Sequence, residues 1–214
     1  MYIPEHFRVQ HDADAVAFMR ANPFAILISS TDAGPFATHL PLFVRTEEEK
    51  VLLHGHVAKA NPHWQYLAQH ADCLTIFHGP HSYISPSNYE TRESVPTWNY
   101  AAAHVYGRAR IFDSEQDLHG MLEELMETFE PAYRVRWEGL SEKFRENMLR
   151  QIVGFEIVAT KIEGKFKLSQ NRTRQDQSNV IGSLEKDADT TVSGVAQMMK
   201  DLRLGIVSVK KESE

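Results

Sequence analysis

The sequence predicts an α+β fold, a β-barrel with helices in which a mainly antiparallel sheet is flanked by peripheral helices. Three observations lead there. Runs rich in β-branched and aromatic residues, broken by turn signals, fill the chain up to residue 112. Ala101 to Phe112 sets Ala103, Val105, Gly107, Ala109 and Ile111 against His104, Tyr106, Arg108 and Arg110, the period of a long strand with one buried face. Beyond residue 112 the apolar residues mostly recur at helical spacing.

In chain order, Ala13 to Ala21 reads as a short helix that stops at Asn22-Pro23, because the residue before a proline is pushed out of helical geometry. Strands follow at Phe24 to Ser30, Phe36 to Val44, Val51 to Val57 and Cys73 to His78, with turns at Thr31-Asp32-Ala33-Gly34 and Thr46-Glu47-Glu48-Glu49. The first three are expected to form an antiparallel meander. Between the last two, Asn61 is a good N-cap and Pro62 suits a first helical position, where its missing N–H is not needed. Ser114 and Asp117 open a helix whose stripe is Leu118, Met121, Leu122, Leu125, Met126 and Phe129, either core or interface. Ser141 to Ile152 is a second amphipathic helix, Phe155 to Ile162 a strand, and Thr191 to Leu202 a helix with Val192, Val195, Ala196, Met199 and Leu202 on one face. The polar tail Lys210 to Glu214 is expected to fray. At 214 residues the chain is read as one domain over 1–214, with a helical C-terminal part over about 175–205.

Composition narrows the function classes. With 42% hydrophobic and 24% charged residues the chain has the balance of a globular protein, and a net charge of −6 opposes broad attraction to nucleic acid or anionic membrane. Any DNA contact must come from a local patch. The single cysteine, Cys73, sits in an apolar run, so no disulfide can form within the chain and a reducing compartment fits. No leader-like N-terminus and no apolar stretch of about 20 residues is seen, so the expectation is a cytoplasmic protein without a membrane partner.

The stretch Leu53 to Trp64 carries the sharpest chemistry. It joins a strand end, a cationic turn at Lys59 and a helix start at Asn61-Pro62, so an anion there would meet oriented N–H groups and a full positive charge; the plainer reading is a strand-to-helix turn with a solvated lysine. His54 and His56 share a strand face, and His39 is near in sequence pattern, but no clustered carboxylates or cysteines accompany them, so no metal is expected. Between Lys161 and Arg174 five cations, Lys161, Lys165, Lys167, Arg172 and Arg174, stand against one acid, Glu163. An anion is the natural partner of that run. Trp98, Asn99 and Tyr100 form a polar-aromatic cluster before the long strand, and no nucleophile elbow, phosphate loop or dinucleotide fingerprint is present.

Five ordered motifs carry a family resemblance: Pro35 to Leu42, His54 to Trp64, Phe77 to Pro86, Val95 to Tyr100 with His104 to Gly107, and Ile162 to Arg172. Together they are similar to the PaiB family, FMN-binding negative transcriptional regulators. The resemblance implies a split β-barrel like that of pyridoxamine-phosphate oxidases, FMN as cofactor, and a homodimer with flavin at its interface. It also implies flavin contacts from Thr38, His39, Leu40, His54, Gly55, His56, Lys59 and Asn61, completed by Lys165, Lys167, Gln170 and Asn171. For the last group a small patch contacting promoter DNA is the alternative. Two function classes stay open: a flavin-binding regulator that lowers transcription, and a flavin-dependent oxidoreductase acting on a small molecule, in which the cofactor supplies the chemistry and no dedicated acid or base is required. Catalytic residues are not assigned by either.

Overall fold

The computed structural model describes residues 1–209, and the Lys210 to Glu214 tail lies outside the described residues. Seven helices and seven strands follow in the order α1 (Asp12–Ala21), β1 (Phe24–Thr31), β2 (Gly34–Pro41), β3 (Phe43–Glu47), β4 (Lys50–Ala58), α2 (His63–Gln69), β5 (Asp72–Ile84), β6 (Thr97–Phe112), α3 (Glu115–Phe129), α4 (Tyr133–Glu138), α5 (Glu142–Leu149), β7 (Ile152–Lys167), α6 (Arg174–Leu184) and α7 (Thr190–Leu204). The sheet order is β2-β1-β5-β6-β7-β4-β3, with β1–β2, β3–β4 and β4–β7 antiparallel. Among the described residues no helix is long and apolar enough to cross a membrane.

The expected meander is instead two hairpins, because the segment read as one strand over Phe36 to Val44 breaks at Leu42. Pro41 has no N–H to give a ladder. The Leu42 N–H bonds the Pro23 carbonyl at 2.9 Å, and the Leu42 side chain is fully buried. Gly55 of β4 makes that crossing possible. A Cβ there would lie 2.5 Å from Leu42 Cδ2 and 3.2 Å from Phe155 Cζ, so any side chain would force the crossing apart. Strand β5 likewise runs straight through Gly79-Pro80, past the end at His78 that the sequence indicates. Gly79 admits the Phe18 ring, to which a Cβ would come within 2.5 Å.

The chain divides into two compact units. One comprises Pro23–Ile76 and Val105–Lys161; the other comprises Met1–Asn22, Phe77–His104 and the described part of Ile162–Glu214. The three long strands β5, β6 and β7 contribute to both. In the first unit Phe43, Leu118, Met121 and Leu149 form a buried cluster, with Phe112, Leu122, Leu125 and Ile152 packed on it. The α3 stripe is therefore core at its start and open at its end, where Phe129 is 44% exposed. In the second unit Phe18 and Phe166 pack with ring centroids 5.1 Å apart, and Val180, Val195 and Met199 of α6 and α7 are buried. Side-chain caps from Ser114, Ser141, Thr173 and Asp189 start α3, α5, α6 and α7, each worth about 1 kcal/mol.

Candidate functional site

In the first unit the chain leaves β4 through a turn pinned at several points. The Lys59 N–H bonds the Gln151 carbonyl at 2.7 Å, and the Lys59 carbonyl accepts from Trp64 Nε1 at 3.1 Å. Helix α2 begins at His63, one residue later than the sequence indicates, with Pro62 in the cap position. Asn61 still serves the helix end. Its Oδ1 accepts the His63 N–H at 3.0 Å, while its Nδ2 donates to Thr38 Oγ1 at 3.2 Å. Because α2 has only seven residues and this N–H is already taken, its dipole adds little, and the positive charge at the turn comes from Lys59. The Lys59 side chain is exposed and has no acidic partner among the described residues.

His63 is a participant that the sequence reading missed. It is fully buried, its Nδ1 lies 2.7 Å from Thr38 Oγ1, and its Nε2 lies 3.0 Å from Ser29 Oγ. Burial pulls its pKa down to about 4, so at neutral pH the ring is uncharged, with one nitrogen donating and the other accepting. The result is a neutral chain of polar groups, Asn61 to Thr38 to His63 to Ser29. Phe36 packs edge-on against the His63 ring at 5.1 Å. A signal for this was available: His63 stands four residues before the apolar Leu67, the spacing that puts both on one helix face.

The other expected residues of this unit separate by role. Thr38 and His39 lie on β2, an edge of the sheet, so the outer backbone groups of that strand are open to a ligand; Leu40 puts its side chain in the core. His54 is buried and faces carboxylates instead of the turn, with Nε2 2.8 Å from Glu156 and Nδ1 3.6 Å from Glu124. Gly55 makes room for Leu42, as described above. His56 differs from His54: its Nδ1 is buried without a partner, and burial lowers its pKa. Among the described residues no group of three or more His, Cys, Asp or Glu is placed to hold a metal ion.

In the second unit β7 extends past its expected end and carries Lys165 and Lys167 of the cationic run. The Lys165 ammonium is buried, donates to the Tyr2 carbonyl at 3.2 Å, and lies 5.6 Å and 5.2 Å from the Tyr2 and Tyr100 ring centroids. Lys167 donates to the Thr97 hydroxyl. Burial and then the neighbouring Lys165 charge lower its pKa. Neither lysine has a carboxylate partner among the described residues. At the strand end Ser169 adopts φ +63°, held by Asn99 Nδ2 donating to its hydroxyl at 2.9 Å. Gln170 braces the turn, accepting the Leu168 N–H at 2.6 Å and donating to the Phe166 carbonyl, while Asn171 is exposed. The sequence-expected residues thus fall into two groups, eight in one unit and four in the other.

The donor set fits FMN. Its phosphate needs a cation that no acid has neutralised, which Lys59, Lys165 and Lys167 each supply, and its polar ring edge needs unpaired groups such as the outer edge of β2 and His56 Nδ1. The cofactor would supply electron transfer there.

Comparison with known proteins agrees. Residues 1–161 match the family model described as "Putative FMN-binding domain". The Protease synthase and sporulation protein PAI 2 of Bacillus subtilis is 38% identical over 203 residues, covering 94% of this chain and 97% of that protein. An uncharacterized Emericella nidulans protein is 28% identical over 230 residues, covering 86% of this chain and 92% of its own length. Among solved structures, the FAD and heme binding protein of Mycobacterium smegmatis superposes with a TM-score of 0.58 at 14% identity, covering 75% of this chain and 73% of that one. The flavocytochrome Anf3 of Azotobacter vinelandii gives 0.56 at 18%, covering 80% and 75%. These structural likenesses concern the fold, and with the family match and the Bacillus relative they make this chain a member of the FMN-binding PaiB family with a split-barrel fold.

Proposed function

We propose that this FMN-binding protein works as a cytoplasmic homodimer that lowers transcription of target genes, and that its flavin is held by the two groups of residues described above. The observation that carries the flavin reading is the turn after β4: an exposed, acid-free Lys59 on a backbone fixed by Gln151, Trp64 and Asn61, beside the Thr38 hydroxyl. Such a turn presents a charge on a backbone that is already ordered, so only the lysine side chain has to be fixed on binding an anionic ligand. Thr38, His39, Leu40 and His56 offer backbone and side-chain groups to the ring system, Lys59 and Asn61 hold the phosphate, and Lys165, Lys167, Gln170 and Asn171 contribute from the partner subunit of the dimer. His54 and Gly55 serve it indirectly, by fixing β4.

The homodimer is supported by open apolar surface. Tyr83 and Trp98 are 50% and 52% exposed with their rings 6.4 Å apart, and residues of Ala101 to Phe112 are expected at the interface. The regulatory role rests on the family and on the name of the Bacillus relative, which concerns protease synthesis and sporulation. Light scattering of the FMN-saturated protein should report twice the chain mass of 24.5 kDa, and a gel shift on promoter DNA should weaken steeply with salt. A monomer, or a protein that leaves promoter DNA unshifted while a small molecule rapidly reoxidises its reduced flavin, would replace this reading with that of an oxidoreductase.

A further inference from the structure

The second unit contains a cleft of about 690 Å³ that the residues assigned to the flavin touch only through Gln170 and Asn171. Its lining includes Arg172, Arg174 and Arg203 and not one carboxylate, in a chain whose net charge is −6. None of the three guanidiniums has an acidic partner within salt-bridge distance among the described residues. Two of them have neutral partners. Arg172 lies over the Tyr89 ring with its Cζ 4.2 Å from the centroid, and Arg203 Nη1 donates to Ser178 Oγ at 3.1 Å. The nearest acid on α6, the buried Asp176, turns its Oδ1 to the Glu90 N–H at 2.9 Å.

The rest of the lining narrows the ligand. Gln10 adds an amide at the wall, Gln177 Nε2 braces the Arg172 carbonyl at 2.9 Å, and Leu202 and Val207 add apolar surface. Three forked cations with an amide donor match a group rich in acceptor oxygens and several negative charges, and guanidiniums bind phosphate bidentately. The apolar part suits an organic half, and the volume lies within the range of small-molecule sites, about 300–1,000 Å³. A concave cleft of this size takes a small molecule better than the convex backbone of a duplex. We infer that this cleft is a binding site for a small molecule carrying two or more phosphates, separate from the flavin phosphate site, and therefore a place where a phosphorylated metabolite acts on the flavoprotein.

Titration calorimetry on the FMN-saturated full chain tests this, with inorganic pyrophosphate and ADP as probes. The expected result is one site per chain, tighter for ADP than for pyrophosphate and weakened by salt. In the double variant Arg174→Ala/Arg203→Ala, affinity for both probes should fall at least tenfold while FMN affinity and the urea midpoint stay unchanged. The Arg174→Lys/Arg203→Lys pair, which keeps charge and loses the fork, should fall in between. Absence of binding, or binding untouched by the alanine pair, overturns the inference. So does an equal loss of FMN affinity, which would make the cleft the flavin's own, and so does loss of duplex DNA binding with pyrophosphate affinity preserved. The assignment of FMN to Lys59 survives an absence of probe binding and a loss confined to DNA, since neither arginine belongs to that turn; only the equal loss of FMN affinity would count against both.

Discussion

The β4–α2 turn and the end of β7 hold cations by opposite means. At the turn the charge is a single exposed lysine, and everything that fixes it is neutral: amide, hydroxyl and an uncharged imidazole. At the end of β7 Lys165 is buried and Lys167 half-buried, resting on a carbonyl oxygen, a hydroxyl and aromatic rings. The first arrangement keeps full charge available to a ligand in water. The second strengthens each charge by removing water and, as the lowered pKa of Lys167 reflects, makes the charged form harder to maintain. Moving the charge in the first region should alter binding with little change in stability, whereas the neutral groups beneath it should govern folding.

Breaking the neutral network should give the largest effect. Replacing His63 by Ala removes a fully buried ring and leaves the Ser29 and Thr38 hydroxyls without it, so chemical denaturation should report a loss of about 2–4 kcal/mol. The pH dependence of stability should follow the same ring. Its folded pKa, about 4, lies below the unfolded value of 6.5, so between them the unfolded chain binds more protons. The contribution is complete above pH 6.5 and is lost as pH falls toward 4, on the order of 3 kcal/mol in all. A urea midpoint that is flat between pH 7 and pH 4.5, in the wild type against His63→Gln, would contradict a buried neutral His63.

Smaller effects sharpen the contrast on the β7 side. Lys167→Ala should weaken FMN binding about tenfold, about 1.4 kcal/mol, by fluorescence titration. If that lysine served a DNA patch instead, flavin affinity would be unchanged and the salt slope of promoter binding would fall by about one. Asn99→Ala, which frees Ser169 from its hydrogen bond, should cost about 1 kcal/mol in stability and leave the β4–α2 turn unaffected.

Local signals explain which parts of this were legible in the sequence. Ser114 with Asp117 and the stripe behind them gave α3, and the alternation from Ala101 to Phe112 gave most of β6, because those patterns are set by neighbours in the chain. The break at Leu42 was hidden, since it depends on Pro23 and on the space at Gly55, both remote in sequence. The site divides the same way. Lys59 and Asn61 were recognisable from a strand end followed by a helix cap, and the chain of groups beneath them was not, because Ser29, Thr38 and His63 meet only through tertiary packing. His54 looked equivalent to His56 on a shared strand face; Glu156 on the neighbouring β7 makes them different.

The central claim, that the Lys59 turn holds the FMN phosphate, is tested most directly by titrating FMN and riboflavin into the wild type and into Lys59→Ala/Asn61→Ala. The account predicts that the double variant stays folded, loses at least tenfold in FMN affinity, about 1.4 kcal/mol, and no longer prefers FMN over riboflavin. An unchanged FMN affinity, or a preference for FMN that survives both substitutions, would contradict it.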